Sequence, residues 1–254
     1  MKVALVTGAS SGIGKEIVIS LLNNGYKVAV TGRDITKLEI AFDSISKDIL
    51  QIEVDVMKIG SYKSIFDIIN KKYGRLDLLV NNVGGGKIGE TIENTTLEQW
   101  NEMITLNTTS VYFMIQNAIP YLTETQGTII NMSSILASRP AAGLGPYSAA
   151  KAAVEMITKT AALELASKQI RVLCIAPATI QTNFHTNAGM SVENANKYYD
   201  ASKNTHPIGR IGKPEDISEL VVFLADSSKA GFMTGSIISV DGGRSLTSSV
   251  AQIN

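Results

Sequence analysis

Short runs of apolar, often β-branched residues alternate along the chain with longer segments in which apolar positions recur at helical spacing. Most of the short runs are apolar throughout rather than alternating, which is typical of strands buried on both faces of a sheet. They predict strands at 3–7, 27–31, 50–54, 76–81, 128–132, 171–176 and 237–240. The longer segments predict helices at 12–23, 35–46, 61–72, 97–122, 147–166 and 214–225.

This order of elements predicts the α/β fold class. Strands that alternate with helices form a parallel sheet with right-handed crossovers, and the helices cover both faces. The chain has 254 residues and no repeat or linker-like stretch, so we expect a single domain over residues 1–254. The expected architecture is a doubly wound parallel sheet of the Rossmann type.

Two stretches fit neither pattern, and both leave the carboxyl end of a predicted strand. They are 84–94 and 179–212. Ligands of open α/β sheets bind beyond these strand ends, so both stretches are expected to border a pocket. The second is polar and contains Tyr198 and Tyr199. We interpret its residues 183–207 as a substrate lid, and the alternative is an inert surface excursion.

Composition and charge exclude several classes of protein. Hydrophobic residues make up 44% of the chain, and 23 acidic residues balance 23 basic ones. Without a basic excess or a nucleic-acid motif, we expect no nucleic-acid or membrane partner. No leader or spanning segment is recognisable, and the lone Cys174 fits a reducing compartment. These features favour the cytoplasm.

The first predicted strand runs into a glycine-rich loop that is typical of dinucleotide binding. Gly8 allows a tight turn, Gly12 lets the backbone approach a pyrophosphate, and Gly14 lets the following helix pack closely. The helix N-terminus then offers free amide donors to phosphate groups. The expected cofactor-binding residues of this loop are Gly8, Ser10, Ser11, Gly12, Ile13 and Gly14.

The end of the second predicted strand bears on the choice of cofactor. Folds that prefer NAD carry an acid there, whereas this chain has Gly32 followed by Arg33. A guanidinium suits a 2′-phosphate, so we predict a preference for NADP(H), with NAD(H) as the alternative. Asp34 is preferred as a helix N-cap over a ribose ligand. Asp55 and Val56, after the third strand, either face the adenine or form a turn.

A tyrosine and a lysine one helical turn apart form the sharpest candidate for chemistry. Tyr147 and Lys151 share a helix face, and an ammonium beside a phenol lowers the phenol's pKa from about 10 toward working pH. A general acid or base needs such tuning. Ser134, after the fifth strand, lies at the same edge of the sheet as the glycine-rich loop and can hydrogen-bond a substrate oxygen.

Taken together, these motifs resemble the short-chain dehydrogenase/reductase family. The resemblance covers residue 3 to about residue 244 and includes the 7–14 loop, the 81–84 stretch, Asn107, Ser134 and the Tyr147/Lys151 pair. It implies the strand order 3-2-1-4-5-6-7 and hydride transfer between a nicotinamide and a carbonyl or alcohol.

The resemblance also implies a role for each site residue. Tyr147 is the general acid or base, Lys151 lowers its pKa and binds the nicotinamide ribose, and Ser134 holds the substrate oxygen. Asn107 holds a water of a proton relay, and its alternative interpretation is a polar kink in a helix. The remaining expected cofactor contacts are Asn82, Val83, Gly84, Pro177, Ile180 and Thr182.

Other interpretations stay open at this point. The chain could be a non-catalytic dinucleotide sensor, or specifically a 3-oxoacyl-(acyl-carrier-protein) reductase that docks an acidic carrier through basic residues such as Lys168. A sugar, polyol or steroid-like alcohol is equally open as substrate. His185 and His206 lack metal-ligand spacing, so no metal site is expected. His185 is interpreted as a surface residue, and the alternative is a contact with substrate from the lid. The resemblance implies a homotetramer, with a dimer as the second choice, through helices 97–122 and 147–166. The alanines of the second helix permit close packing.

Overall fold

The computed structural model describes residues 1–45, 48–86 and 89–247. Its centre is a parallel sheet of seven strands in the order β3-β2-β1-β4-β5-β6-β7. The strands are β1 Val3–Thr7, β2 Lys27–Gly32, β3 Leu50–Glu53, β4 Leu78–Asn81, β5 Thr128–Met132, β6 Arg171–Pro177 and β7 Ile237–Val240. The predicted fold class and strand order are confirmed.

Helices connect successive strands and cover both faces of the sheet. They are α1 Gly12–Asn23, α2 Ile35–Phe42, α3 Tyr62–Tyr73, α4 Leu97–Ile104, α5 Ser110–Thr125, α6 Gly145–Leu165, α7 Phe184–Asn187, α8 Val192–Lys203, α9 Pro214–Ala225 and α10 Ser227–Ala230. The predicted helix 35–46 ends earlier, at Phe42, and its last predicted residue, Ser46, lies outside the described residues.

Alternate side chains of the central strands enter opposite apolar layers, which explains why most of the strands are apolar throughout. Leu5 of β1 packs with α3, α5 and α6 on one face, and its neighbour Val6 packs with α1, α2 and α9 on the other. Both side chains are 0% exposed. Burying an aliphatic side chain of this size contributes about 1.5 to 3 kcal/mol. Removal of apolar area from water therefore holds the helices on both faces.

Two predicted elements differ from the structure. A π-helical turn at Thr105–Thr109 interrupts the predicted helix 97–122 and separates α4 from α5. The stretch 179–212, which was expected to be irregular, contains α7 and α8. The hydroxyl of Ser191 caps α8 by accepting a hydrogen bond from Asn194 N. The polar composition of α8 had obscured it, because it buries only three residues, Ala195, Tyr199 and Ser202.

Within the described ranges, none of the helices combines the length and apolar character needed to cross a bilayer. The same residues contain no group of three His, Cys, Asp or Glu side chains that could hold a metal ion.

Candidate active site

The glycine-rich loop lies between β1 and α1 at the carboxyl edge of the sheet. Gly8 and Gly12 have φ angles of +64° and +56°, which L side chains rarely adopt. Gly14 has no room for a side chain, because a Cβ there would collide with Gly8 O and lie 2.5 Å from Asn82 Nδ2. The roles predicted for the three glycines, turn, backbone approach and close packing, therefore match their geometry.

The first turn of α1 leaves amide donors at this loop. Ser11 precedes the helix in an extended conformation, and its side chain makes no capping hydrogen bond. A helix of 12 residues whose first amides lack a side-chain cap presents those donors, and the positive end of its dipole, to an anion. Ser10 is half-buried and Ser11 is exposed at the same turn. This cradle fits a pyrophosphate.

Thr7 and Asn82 fasten the end of β4 to this loop. The Thr7 hydroxyl accepts hydrogen bonds from Asn82 N at 3.0 Å and Val83 N at 3.1 Å. The Asn82 amide donates to the carbonyl oxygens of Thr7 and Gly8 at 3.0 and 3.1 Å. Asn82 and Val83 therefore border the loop, as expected for the nucleotide side, while the Asn82 amide hydrogens are already used within the protein.

The residues expected to contact the adenosine half of the dinucleotide lie after β2 and β3. Arg33 is exposed and directly follows Gly32, the last residue of β2. Asp34 caps α2 by accepting a hydrogen bond from Lys37 N at 3.2 Å, as predicted. Asp55 accepts from Met57 N at 3.0 Å, which is the turn geometry left open in the sequence, and Val56 is buried.

Tyr147, Ser134 and Lys151 meet where α6 crosses the end of β5. The side chains of Tyr147 and Ser134 are hydrogen-bonded, and both residues are buried. The Lys151 ammonium lies 5.7 Å from the centre of the Tyr147 ring and donates to Met132 O at 2.9 Å. The structure thus brings together the three residues that the sequence analysis assigned to chemistry.

The pKa values of this pair differ from the expectation. Burial raises the pKa of Tyr147 to about 12, although the hydrogen bond with Ser134 acts in the opposite direction. Burial also lowers the pKa of Lys151 to about 8. The prediction that Lys151 brings the pKa of the phenol below its ordinary value is wrong for this structure. The reason is that removal of the phenolate from water outweighs the hydrogen bond with Ser134.

The neighbouring Ser133 serves a different purpose. Its hydroxyl lies 3.1 Å from Lys151 O and 3.0 Å from Glu155 Oε1, so it joins the end of β5 to the backbone of α6. Of these two serines, only Ser134 is hydrogen-bonded to the phenol of Tyr147. The expectation that Ser134 holds the substrate oxygen is therefore compatible with the geometry, and Ser133 is already used between β5 and α6.

Asn107 lies in the π-helical turn and holds the chain that follows β4. Its side-chain oxygen accepts from Gly85 N at 3.0 Å, and its nitrogen donates to Gly85 O at 2.8 Å and Met103 O at 3.0 Å. The polar kink is therefore present, and the proton-relay water stays a prediction. A Cβ on Gly84 would lie 2.9 Å from Lys151 Nζ and 3.1 Å from Asn107 Oδ1, so this close approach requires glycine.

The chain after β6 closes the other side of the groove. Pro177 ends β6 and is buried. Ile180 forms a parallel bridge with Gly212 and is 6% exposed. The side chain of Thr182 faces the glycine-rich loop, because a Cβ on Gly12 would lie 3.1 Å from Thr182 Cγ2. Pro177, Ile180 and Thr182 thus border the groove, and their contact with the nicotinamide half of a dinucleotide stays a prediction.

A cleft opens beside Tyr147, between α4 and the residues that precede α6. Its floor is apolar and its rim carries carboxylate and amide groups. The described residues that line it are Gly86, Glu90, Thr95, Gln99, Glu102, Met103, Leu106, Gly143, Leu144, Pro146 and Tyr147. The expected pocket-bordering stretch 84–94 contributes Gly86 and Glu90, and its residues Lys87 and Ile88 lie outside the described residues.

Sequence reasoning missed an aromatic group on α7 and α8. Phe184 packs edge-on against Tyr147 with ring centres 5.9 Å apart, and His185 lies 4.5 Å from the Tyr198 ring and 5.2 Å from the Tyr199 ring. His185, interpreted as a surface residue, is half-buried among these rings, and whether it contacts substrate stays a prediction. Only the adjacent Tyr198 and Tyr199 signalled this cluster, since the helices that form it lack apolar periodicity.

Comparison with known proteins places this geometry in a family. A family model described as enoyl-(acyl carrier protein) reductase matches residues 8–245. The chain is 35% identical over 250 residues to a 3-oxoacyl-(acyl-carrier-protein) reductase of Thermotoga maritima, covering 95% of this chain and 97% of the relative. It is 32% identical to human dehydrogenase/reductase SDR family member 4, covering 95% and 87%.

A solved structure supports the same assignment. The crystal structure of a 3-ketoacyl-(acyl-carrier-protein) reductase from Brucella melitensis in complex with NADH matches with a TM-score of 0.87 and 32% identity, covering 96% of this chain and 98% of that one. This chain belongs to the short-chain dehydrogenase/reductase family. It is an oxidoreductase of that family, which acts on CH–OH groups and uses a nicotinamide dinucleotide.

Proposed function

We propose that this short-chain dehydrogenase/reductase transfers hydride between NADP(H) and a small carbonyl or alcohol, with Tyr147 as the general acid or base. The single observation that carries the proposal is the meeting of Tyr147, Ser134 and Lys151 beside the cleft. No specific observation favours the non-catalytic sensor, which would not need this arrangement.

In carbonyl reduction, Tyr147 donates its proton to the substrate oxygen. A phenol whose pKa lies at about 12 holds that proton at neutral pH, so it is ready to donate. The Ser134 hydroxyl orients the oxygen beside the phenol, and Lys151 stabilises the phenolate that results. Asn107 is proposed to hold the water through which Lys151 exchanges protons with solvent. The dinucleotide, when bound, supplies or accepts the hydride.

The proposed binding residues follow the groove along the carboxyl edge. The phosphates of the dinucleotide would lie where the α1 amides are free of a side-chain cap. The residues there are Gly8, Ser10, Ser11, Gly12, Ile13 and Gly14. Its adenosine would lie near Asp55, Val56, Asn82, Val83 and Gly84. Its nicotinamide half would lie near Tyr147, Lys151, Pro177, Ile180 and Thr182, with the segment 183–207 as a lid on a single domain.

We propose NADP(H) as the preferred cofactor because of Arg33. The guanidinium follows the last residue of β2 and is exposed, so it is free to reach a 2′-phosphate. Asp34 is occupied as the cap of α2, which argues against a carboxylate that would select the ribose 2′-hydroxyl of NAD(H). Ser11 adds no charge, so discrimination rests on Arg33.

One more specific function, 3-oxoacyl-(acyl-carrier-protein) reductase, is favoured by the name of the Thermotoga relative. The placement of Lys168 argues against simple docking. It is exposed after the far end of α6, about 30 Å along the helix axis from Tyr147. Contact between Lys168 and a carrier protein at the cleft would need a second copy of the chain. The cleft rim itself carries Glu90 and Glu102, which would repel an acidic carrier.

A panel of ketones, aldehydes, sugars and acyl thioesters, assayed with NADPH and with NADH, tests the proposal. We expect turnover with at least one carbonyl, higher kcat/KM with NADPH, and loss of about a thousandfold or more in kcat for Tyr147→Phe, because a general acid and its associated charge stabilisation are removed. Binding of NADPH to Tyr147→Phe should stay within a few-fold of the parent. Retained turnover would place the acid elsewhere, and an NADH preference would refute the role of Arg33.

We further propose a homotetramer, with a dimer as the second choice. The alanine surface expected on α6 is only partly exposed, because Ala150, Ala161 and Ala162 pack into the protomer's own core. Ala149 and Ala152 remain outside, in line with the exposed Met156 and Leu163. The cytoplasmic location expected from the sequence stays a prediction.

A further inference from the structure

A hydrogen-bonded chain of three groups links α7 and α8 to the end of the groove. The Tyr199 hydroxyl donates to Thr182 O at 2.5 Å, and His185 Nδ1 lies 3.1 Å from the same hydroxyl. A carbonyl oxygen can only accept, so the phenolic hydrogen points to Thr182. His185 Nδ1 therefore carries the hydrogen that it donates to Tyr199, and this contact fixes the tautomer of the imidazole.

Both links are partly shielded from water. Tyr199 is 7% exposed, and burial raises its pKa, so the phenol keeps the proton that it donates to Thr182. His185 is held by the rings of Phe184, Tyr198 and Tyr199. Hydrogen bonds in such surroundings compete little with solvent.

Thr182, which supplies the acceptor of these hydrogen bonds, lies against the glycine-rich loop. Thr182 Cγ2 faces Gly12, and the Thr182 hydroxyl accepts from Phe184 N at 3.2 Å at the start of α7. On the other side, Gly212 N donates to Thr179 O and Gln181 N donates to Gly212 O, each at 2.9 Å. The backbone from 179 to 181 is thus fixed by Gly212, while the position of Thr182 depends on Tyr199.

We infer that Tyr199 and His185 are positioning residues that hold Thr182 against the glycine-rich loop and so strengthen binding of the nicotinamide half of the dinucleotide. The inference rests on the proposed function, because it requires that this groove bind the dinucleotide. Neither residue touches the reacting atoms in this arrangement. They act through the Thr182 backbone. Both lie on helices, α7 and α8, in a stretch that was expected to lack regular secondary structure.

The chain offers a matched control for this inference. Tyr198 lies one position before Tyr199 on α8 and packs on the same imidazole. Tyr199→Phe removes the hydroxyl that bonds Thr182 and keeps the ring, whereas Tyr198→Phe makes the identical chemical change beside it. A general destabilisation of α8 would weaken binding in both variants, whereas loss of the hydrogen bond to Thr182 would weaken binding only in Tyr199→Phe.

The experiment measures dissociation constants for NADPH, NADH and two adenosine fragments, 5′-AMP and adenosine 2′,5′-bisphosphate, by calorimetry. We expect Tyr199→Phe to weaken binding of the preferred dinucleotide by about threefold to tenfold, as for one buried hydrogen bond. Binding of the fragments, which lack the nicotinamide half, should be unchanged. Tyr198→Phe should match the parent with every ligand. In steady-state assays the loss should appear in KM for the dinucleotide more than in kcat.

His185 supplies a second, independent test. The amide nitrogen of asparagine replaces the Nδ1 donor, so His185→Asn should bind the dinucleotide nearly as the parent does, whereas His185→Leu should weaken binding. In combination with Tyr199→Phe, the His185→Leu change should add little, because both act through one hydroxyl. Additive effects would show that His185 acts separately from Tyr199.

Failure of this inference is distinguishable from failure of the proposed function. If the parent protein binds neither dinucleotide, the proposed function is wrong. If the parent binds and turns over normally while Tyr199→Phe equals both the parent and Tyr198→Phe, the positioning role is overturned. Equal weakening of the fragments and the dinucleotide would also overturn it, because the change would then be a general loss of structure.

Discussion

At the scale of single residues, Lys151 carries a charge in surroundings that oppose it. The ammonium is buried, its one hydrogen-bond acceptor among the described contacts is Met132 O, and burial lowers its pKa to about 8. A buried lysine that opposes folding in this way is a candidate for chemistry rather than for stability.

We therefore expect Lys151→Met to abolish turnover and to stabilise the fold at pH 7. In the unfolded chain the lysine keeps a pKa near 10.5, so the unfolded state binds more protons between pH 8 and 10.5. The full penalty, about 3 kcal/mol, applies below pH 8 and fades as the pH rises to 10.5. The lost bond to Met132 O offsets about 1 kcal/mol of the gain.

Denaturant unfolding of both proteins at pH 7 and at pH 10 measures this difference. Lys151→Met should exceed the parent in unfolding free energy by about 2 kcal/mol at pH 7 and by clearly less at pH 10. A less stable variant at pH 7 would mean that the ammonium's contacts outweigh its burial.

At the scale of elements, the joint between β1, α1 and the end of β4 decides whether the groove forms. Gly14 lies where the helix touches both the Gly8 carbonyl and the Asn82 side-chain amide. The Thr7 hydroxyl, at the end of β1, accepts a hydrogen bond from Asn82 N just after β4. The loop between β1 and α1 thus meets the end of β4, which lies much later in the chain, through the Thr7 and Asn82 side chains. The close approach of Gly14 to the Gly8 carbonyl packs the start of α1 against the loop.

Gly14→Ala should consequently destabilise the protein by about 1 to 3 kcal/mol and weaken dinucleotide binding, because the new methyl group has backbone on one side and the Asn82 amide on the other. Gly60→Ala is the matched control, since nothing lies within 4 Å of a Cβ at Gly60 and its φ is not left-handed. Unfolding and binding measured on both variants test this. Equal behaviour would show that the loop relaxes freely.

At the scale of the whole molecule, α6 carries both the candidate catalytic pair and the surface that the proposed assembly would use. One side of this helix supplies Tyr147 and Lys151 to the groove and Val154 to the core. The opposite side exposes Ala149, Ala152, Met156 and Leu163, which recur at helical spacing. A second copy of the chain packed on this face would also stiffen the helix that carries the candidate catalytic pair.

Leu163→Arg should therefore lower the mass of the assembly in sedimentation velocity. Leu163 is 82% exposed, and in a symmetric interface the introduced charges of two copies would lie on surfaces that face each other. Ile40→Arg, at a residue of α2 that is 75% exposed, is the control and should leave the mass unchanged. A monomeric parent protein would contradict the proposed tetramer and dimer alike.

The sequence by itself determined the sheet, its order through the family resemblance, and the residues of the candidate site. Glycines that need left-handed backbone and strands buried on both faces leave local signals, and so does a Tyr/Lys pair at helical spacing. Tertiary structure alone decided what depends on distant partners. Burial set the pKa of Tyr147 against the local expectation, and contacts between α7, α8 and Thr182 gave Tyr199 and His185 their places. Such contacts join separate elements, so no local pattern encodes them.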